Sequence, residues 1–178
     1  VMNKRFLIKD SVFYYDDRKY RIEIAIDVDA EVVSSSTYYY ARSETILNEC
    51  LQRIFSTMDP DKALDLILAY LGETFLCDRV YIFELDADSQ TDNTYEWCRE
   101  GVTAQREILQ KVPLSSIDWW MRLFSENQVV LIQDLEEIRT KYPVAYAILK
   151  PQNVSSLAAG PVSFEGRVVG FIGADNPN

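Results

Sequence analysis

Alternating and helical hydrophobic patterns divide the chain into a short N-terminal strand region and a longer mixed region. Residues 6–28 hold two apolar runs on either side of the polar residues 16–19, and the second run alternates apolar with polar or small side chains. This pattern predicts a β-hairpin. In residues 32–58 the spacing between apolar positions mixes three, four and seven. Such spacing predicts a helix that packs on a core or forms a two-stranded coiled coil.

A second helix is predicted to begin at Asp59-Pro60, because Asp59 can cap free amide groups and proline suits the first helical position. From Arg79 the hydrophobic period changes to two, which predicts a strand. One face of this strand carries Tyr81, Phe83 and Leu85. A polar loop is predicted at 86–93, and the run TYEWC predicts the next strand.

Two segments with capping-box spacing predict short helices further along the chain. Segment 115–118 reads S-x-x-D and segment 134–137 reads D-x-x-E, and each stands at the head of an apolar run. A short strand is predicted between them at 129–132. One more helix is predicted at 144–150, between two prolines.

The C-terminal stretch VSSLAAGPVSFEGRVVGFIGADNP predicts a closing hairpin. Two apolar runs flank the turn 164–167, where Gly166 supplies the positive φ of a tight turn. Gly160, Gly170 and Gly173 leave these strands short of side chains, so another group can approach the backbone closely. With this hairpin, the predicted order of elements gives an α+β fold, a largely antiparallel sheet flanked by helices.

Histidine is absent from the sequence, and its absence excludes several kinds of site. Ser-His-Asp and Cys-His nucleophiles, His zinc sites and His-ligated haem all need it. Cys50, Cys77 and Cys98 are too widely spaced for a CxxC metal site and odd in number for a disulfide framework. We interpret them as buried thiols in a reducing compartment.

The net charge of −10 excludes nucleic acid as the expected partner, because an acidic surface repels phosphate groups. No apolar run reaches the ~18 residues that a membrane span needs. The N-terminal residues also lack the order of charge, apolar core and small residues that marks a signal peptide. We therefore expect a cytoplasmic segment that does not enter a membrane.

The element order and several motifs resemble a GAF domain. In chain order these motifs are CDRVYIFELD, NTYEWCREGV, VPLSSIDWW, VVLIQDLEEI and GFIGADNP. The resemblance is to GAF domains of bacterial signalling proteins, which lie between PAS domains and the GGDEF or EAL domains that make or destroy cyclic di-GMP.

The resemblance implies three segments. The run RKYRIEIAIDVDAEV is similar to the last strands of a PAS domain. We therefore assign residues 1–30 to a PAS-like hairpin remnant, residues 31–43 to a helical linker and residues 44–178 to the GAF domain. An ordinary hairpin that packs on the same domain is the alternative for residues 1–30.

The resemblance also implies a ligand pocket on one face of the sheet, roofed by the helices and loops before the final hairpin. Pocket candidates lie on the strands and in the roof. On the strands they are Tyr81, Phe83, Trp97, Ser155 and Leu157, and in the roof Trp119, Trp120, Tyr142 and Tyr146. Aromatic-rich concave sites bind small molecules, but aromatic side chains also fill cores, so both interpretations stay open.

Family cofactors are expected to be missing. Cyclic-nucleotide-binding GAF domains carry an NKxxF…DE pattern, whose start occurs here only at 3–6, outside the domain. Phytochrome-type domains attach a bilin through a Cys commonly followed by His, and haem-binding relatives use an axial His. We therefore expect no cyclic GMP, bilin, haem or zinc, which leaves an unidentified small molecule as the ligand.

The expected function is that of a non-catalytic sensory module that binds a small ligand, forms a homodimer through its helices and controls an output domain in cis. The resemblance implies that this output is cyclic di-GMP turnover, by a diguanylate cyclase or a phosphodiesterase. One alternative is a structural relay whose pocket is filled by its own aromatics. Another is a free methionine sulfoxide reductase, a GAF enzyme that uses cysteine thiols.

Overall fold

The computed structural model describes the backbone of residues 5–15, 18–28 and 36–178, and the side chains of residues 42–178. The chain divides into two compact units, Val1–Met58 and Asp59–Asn178. The first unit contains an antiparallel hairpin of β1 (Arg5–Tyr15) and β2 (Arg18–Val28), followed by α1 (Ser36–Phe55). The predicted hairpin and helix are therefore present. Residues 16–17 of the predicted turn and 32–35 of the predicted helix lie outside the described residues.

The second unit is built on a six-stranded antiparallel sheet with the strand order β5-β4-β3-β8-β7-β6. Its strands are β3 (Arg79–Leu85), β4 (Gln90–Cys98), β5 (Val112–Pro113), β6 (Val130–Ile132), β7 (Leu157–Phe164) and β8 (Arg167–Asp175). Its helices are α2 (Pro60–Thr74), α3 (Asp118–Ser125) and α4 (Pro143–Leu149). The predicted α+β class is confirmed. Strand β5 was not predicted, because two residues are too short to show a hydrophobic period. Strand β4 begins at Gln90, so part of the loop predicted at 86–93 is strand instead.

Helix α2 begins as predicted. The Oδ1 atom of Asp59 accepts hydrogen bonds from the backbone amides of Asp61 and Lys62, at 3.1 and 3.4 Å. Pro60 occupies the first helical position, where its missing N–H leaves no bond unmade. The apolar side of the helix then packs on the sheet, where Leu68 is fully buried.

The other two capping predictions fared differently. Segment 115–118 forms no cap, because a 3₁₀ turn at Leu114–Ile117 runs directly into α3 and no side chain bonds its free amides. The predicted cap was therefore wrong, although the helix predicted at this place is present as α3. Asp134 does accept a hydrogen bond from the amide of Glu136 at 2.9 Å, but the element that follows is a 3₁₀ turn at Leu135–Ile138. Short pieces of 3₁₀ helix are common where the chain changes direction.

The closing hairpin is confirmed, together with its turn. Glu165 and Gly166 have φ values of 49° and 76°, and two positive values in succession are typical of the type I′ turn that suits twisted strands. A Cβ on Gly170 would lie 2.3 Å from the carbonyl oxygen of Phe83, and one on Gly173 would lie 2.2 Å from the Tyr81 ring. Because Gly170 and Gly173 have no side chains, strand β3 can lie close to β8 at these two positions.

The sheet buries both of its faces. One face, here called the aromatic face, carries Tyr81, Phe83 and Phe171 and is covered by α3 and α4. The other face, here called the α2 face, carries Val80, Ile82, Trp97 and Ile172 beneath α2. Among the described residues, no helix combines the length and apolarity that crossing a membrane requires.

Candidate functional site

Aromatic rings from β3, β8 and α3 enclose a small cavity on the aromatic face. The Phe83 and Phe171 rings stack with centroids 4.9 Å apart, and the Trp120 ring meets Phe171 edge-on at 5.7 Å. The enclosed volume is about 50 Å³. Its wall, which defines the aromatic cavity, consists of Arg79, Tyr81, Phe83, Thr91, Glu96, Leu109, Val112, Ile117, Trp120, Ile148, Leu149, Gln152 and Phe171.

Arg79, in the wall of the aromatic cavity, forms a buried ion pair. The Nε atom of Arg79 donates to Asp175 Oδ2 at 2.8 Å, and both side chains are almost fully buried. The Tyr81 hydroxyl donates to the other carboxylate oxygen of Asp175 at 2.9 Å. Arg79 and Asp175 face each other directly across β3 and β8. The sheet register itself therefore brings the two charges together, and each satisfies the other away from water.

The surroundings shift the pKa values of Asp175 and Tyr81. Burial raises the pKa of Asp175, while the Arg79 guanidinium and the hydrogen bonds from Arg79 and Tyr81 oppose that rise. Burial also raises the pKa of the Tyr81 phenol well above its usual range, and the negative charge of Asp175 raises it further. Tyr81 is therefore a hydrogen-bond donor at neutral pH.

Arg79 also lies in the wall of a second opening. It has a volume of about 270 Å³ and is predominantly polar. Its wall, which defines the polar cleft, consists of Asp78, Arg79, Gly101, Val102, Thr103, Gln105, Pro151, Gln152 and Asn153. Arg79 and Gln152 line both the cleft and the aromatic cavity.

Glu96 ties the loop beside the polar cleft to the sheet. Its carboxylate accepts hydrogen bonds from the backbone amides of Gln105 and Arg106, at 2.9 and 3.0 Å. The same side chain lines the aromatic cavity. Glu96 therefore holds this loop in place, a role that nothing in the neighbouring sequence indicated.

Three buried polar atoms lack a hydrogen-bond partner among the described residues: Asn93 Oδ1, Trp119 Nε1 and Trp120 Nε1. Trp120 is 3% exposed, and its ring is part of the cavity wall. A buried N–H without an acceptor costs about 1–3 kcal/mol, so such atoms mark places where a ligand can add a bond.

The structure brings part of the predicted pocket together. Tyr81, Phe83 and Trp120 line the aromatic cavity. Trp119 and Tyr142 pack beside it as a stacked pair with ring centroids 4.2 Å apart. Leu157 is buried in the same core but does not belong to the cavity wall.

Three predicted residues point elsewhere. Trp97 lies opposite Val80 on the α2 face, so its placement in the pocket was wrong. Ser155 is exposed, and its hydroxyl donates to Asn176 Oδ1 at 2.8 Å instead of facing the cavity. The Tyr146 hydroxyl donates outward to Glu136 Oε1 at 3.0 Å, although its ring packs on the core.

Arg79, Gln152, Phe171 and Asp175 belong to the site but were absent from the predicted set. A signal was present for two of them, since Arg79 starts a buried strand and Asp175 ends another. Charged residues in such positions are seldom buried unless they are paired. Nothing in the sequence marked Gln152, which contributes a backbone carbonyl to Arg79.

The cysteines do not have the properties of a thiol catalyst. Burial raises the pKa of each of the thiols Cys50, Cys77 and Cys98 to about 11. A nucleophilic cysteine needs a lowered pKa, because only the thiolate attacks. Among the described residues, no group of three or more His, Cys, Asp or Glu side chains could hold a metal ion.

Comparison with known proteins gives one family and one curated relative. Residues 59–178 match the model of the GAF domain family. The methanogenesis regulatory histidine kinase FilI of Methanothrix harundinacea is 32% identical over 126 residues, which cover 66% of this chain. The chain spans 14% of the length of that relative.

Solved structures that share this fold include photoreceptor domains. A protein in its far-red absorbing dark state, with bound biliverdin IXa, matches with a TM-score of 0.63 and 17% identity over 75% of this chain and 83% of that one. The chromophore-binding domain of Stigmatella aurantiaca phytochrome P1 matches with a TM-score of 0.61 and 13% identity, over 94% of this chain and 60% of that one. The predicted GAF-type fold is confirmed.

These structures correct the prediction about cofactors. The sequence led us to expect no bilin, because no cysteine is followed by a histidine. That expectation was wrong, because solved domains that share this fold hold biliverdin or are built to bind a chromophore.

Proposed function

Because the chain belongs to the GAF domain family, we propose that it is a sensory module that binds a small molecule in the aromatic cavity. The observation that carries the proposal is the Trp120 indole N–H, which is buried without an acceptor in the cavity wall. A ligand with an acceptor atom there gains a hydrogen bond that the protein alone does not make. The apolar rings around it favour an apolar body.

Ligand binding would act by changing the relative populations of two conformations of the domain. The cavity wall is shared by β3, β8 and α3, and the rings of Phe83, Phe171 and Trp120 pack directly on one another. A ligand that fits only one arrangement of these rings favours that arrangement, and with it one position of α3 on the sheet. An output domain in the same polypeptide would respond to that change.

A bilin is the first ligand class to test, because a solved structure with the same fold holds biliverdin. In the described conformation the aromatic cavity has a volume of about 50 Å³, whereas small-molecule sites have about 300–1,000 Å³. These residues do not fit a tetrapyrrole as they stand. Bilin binding would require the cavity to widen, and we derive no mechanistic step through it.

The curated relative, which is a histidine kinase, supports one proposal for the output domain. We favour a kinase-type signalling output in cis over the cyclic di-GMP enzymes expected from the sequence, which the comparisons do not support. The assignment of residues 1–30 to a PAS-like remnant and the homodimer through the helices are further parts of the proposal. The native mass spectrum described below tests the homodimer.

The alternative is a structural relay without a ligand. The observation that favours it is the small volume of the aromatic cavity, since stacked Phe83 and Phe171 and the edge of Trp120 fill the space that a ligand would need. In that case the aromatic face is simply a well-packed core, and signals would pass through the helices alone.

Native mass spectrometry of the freshly purified chain distinguishes the two functions. We expect a dimer that carries a small molecule, or one that takes up added biliverdin with a shifted absorption band. The Trp120→Phe variant, which removes the N–H and keeps the ring, should retain less of the bound species. Trp97→Phe is the matched control, because its ring lies on the α2 face. A clean mass without biliverdin uptake would favour the relay.

A further inference from the structure

Residues 99–111, here called the β4–β5 loop, join these two strands without a helix or strand of their own. The loop is the longest irregular stretch of the second unit, all of which the structure describes. Irregular loops of about this length are uncommon in compact domains, and many of them act as lids or binding loops. Four residues of the loop lie in the wall of the polar cleft, namely Gly101, Val102, Thr103 and Gln105.

Two sets of hydrogen bonds connect this stretch of the loop to the wall of the aromatic cavity. The Glu96 carboxylate, which lines the cavity, accepts hydrogen bonds from the backbone amides of Gln105 and Arg106 at 2.9 and 3.0 Å. The Arg79 guanidinium, which lines both openings, donates to the Thr103 carbonyl at 3.1 Å. These contacts therefore join the wall of the aromatic cavity to the wall of the polar cleft.

Polar bonds, more than apolar packing, hold the first part of the loop, residues 100–108. Within this part Val102 and Gln105 are half-buried and the other residues are exposed. The largest apolar side chain, Ile108, is 69% exposed. A segment with few buried apolar contacts is among the first to open by local unfolding, while the rest of the domain stays folded.

The two ends of this part are suited to a hinged movement. Near its start, Gly101 has a φ of 82° and no neighbouring atom close to the position of a Cβ. Beyond its end, the Leu109 carbonyl accepts a hydrogen bond from the Asn93 amide at 3.0 Å, and the Gln110 side chain donates to the Asn93 carbonyl at 2.9 Å. A few residues that change their backbone angles are enough to move a loop whose other end is fixed to a strand.

We propose that residues 100–108 form a lid, latched by the Glu96 carboxylate, and that lid opening joins the aromatic cavity to the polar cleft. This inference rests on the proposed function, since it states how a ligand enters the same site. The volumes of cavity and cleft, about 50 and 270 Å³, together reach the lower end of the range of small-molecule sites, about 300–1,000 Å³. The Arg79–Asp175 pair stays intact, because opening takes only the Thr103 carbonyl from the guanidinium.

Amide hydrogen exchange of the whole chain, followed by NMR, tests the latch. In the wild type we expect the amides of Gln105 and Arg106 to be protected. In Glu96→Gln they should exchange about tenfold faster, because a neutral acceptor makes weaker hydrogen bonds than a carboxylate. The amides of β3 should keep their rates. Asp134→Asn is the matched control, because Asp134 also accepts a backbone amide, that of Glu136, but outside the β4–β5 loop.

Acrylamide quenching of Trp120 fluorescence tests whether the lid covers the cavity, because Trp120 lines the cavity wall and is 3% exposed. The chain has three tryptophans, so Trp97→Phe combined with Trp119→Phe leaves Trp120 as the sole emitter. In this background Glu96→Gln should raise the quenching constant at least about threefold, because local opening admits a small neutral molecule. Asp134→Asn should leave the quenching constant unchanged.

Unprotected amides at Gln105 and Arg106 in the wild type, or unchanged rates in Glu96→Gln, would overturn the inference. Equal acceleration throughout the sheet, or loss of the fold, would overturn it too, since the carboxylate would then stabilise the whole domain. Faster exchange without added quenching would mean that the loop moves without covering the cavity. The exchange comparison needs only Glu96→Gln, so it decides the matter even if the double tryptophan variant does not fold. Neither measurement uses a ligand, so the mass spectra decide the proposed function separately.

Discussion

Single glycines decide how closely the aromatic side chains pack on this sheet. Gly72 lies within α2, where a Cβ would stand 2.1 Å from the Trp97 ring. Glycine is a poor helix former, so its presence in the last turn of α2 needs a reason. The reason is the indole, which occupies the space that any side chain at position 72 would take and so fixes the distance between α2 and the sheet.

Gly72→Ala should therefore destabilise the protein, although alanine favours a helix by about 1 kcal/mol over glycine. Overpacking of this kind costs about 1–3 kcal/mol, and we expect it to outweigh the propensity gain. The measurement is the urea midpoint of unfolding, for Gly72→Ala, Trp97→Leu and the double variant. In the double variant the loss at position 72 should shrink, because the ring is no longer there. A Gly72→Ala protein as stable as the wild type would contradict the packing argument.

At the scale of elements, helix starts show where local sequence rules hold and where they fail. Asp59 caps α2 through two backbone amides, as its place before Pro60 predicts. Ser115 has the spacing of a capping residue too, yet it caps nothing because a 3₁₀ turn intervenes before α3. We therefore expect substitutions of Asp59 and Ser115 to differ in their effect on the free energy of unfolding, although both residues have the sequence pattern of a helix cap.

Asp59→Ala should cost about 1 kcal/mol of unfolding free energy, because it leaves amides at the first turn of α2 without their acceptor. Ser115→Ala is the matched control, and we expect it to leave the free energy unchanged within ~0.5 kcal/mol. Both free energies are measured by urea unfolding. The slope of the unfolding free energy against urea concentration should stay constant, because neither substitution changes the surface area that unfolding exposes. A loss at Ser115 equal to that at Asp59 would show that the cap is not the source of the effect.

At the scale of the whole molecule, one buried ion pair joins the start of β3 to the end of β8. Arg79 and Asp175 lie 96 positions apart, and their side chains are 3% and 1% exposed. Through the carbonyls of Thr103 and Gln152, the same guanidinium holds two connecting segments against the sheet. Removing the Arg79 guanidinium therefore affects both strands, the two connecting segments and the proposed ligand site at once.

Arg79→Met should cost about 3–5 kcal/mol, because it leaves the Asp175 carboxylate buried without its counter-charge. Arg99→Met is the matched control. It breaks an ion pair with Asp78, but the Arg99 side chain is 57% exposed, and exposed pairs contribute about 0–1 kcal/mol. Urea unfolding of the two variants, repeated in 1 M salt, measures the difference. Similar small losses for both would mean that water reaches Arg79 in the folded protein.

The sequence by itself determined the elements whose signals are local. The alternation from Arg79 predicted β3, Asp59-Pro60 predicted the start of α2, and Gly166 predicted the closing turn, since each of these depends on a few neighbouring residues. It also determined the fold class, because the order of helices and strands leaves an antiparallel sheet with helices on its faces. Part of the cavity wall, Tyr81, Phe83 and Trp120, was expected from the resemblance to GAF domains.

Only the tertiary structure decided which side chains meet. β4 has a bulge opposite Ile82 and Phe83, so Asn93 lies opposite Phe83 while Tyr95 lies opposite Ile82. One extra residue turns every later side chain to the other face, which is why Trp97 packs under α2 instead of in the pocket. The Arg79–Asp175 pair likewise depends on the register of two strands far apart in the chain. No local pattern records such a register, because it is set by pairing and packing across the whole sheet.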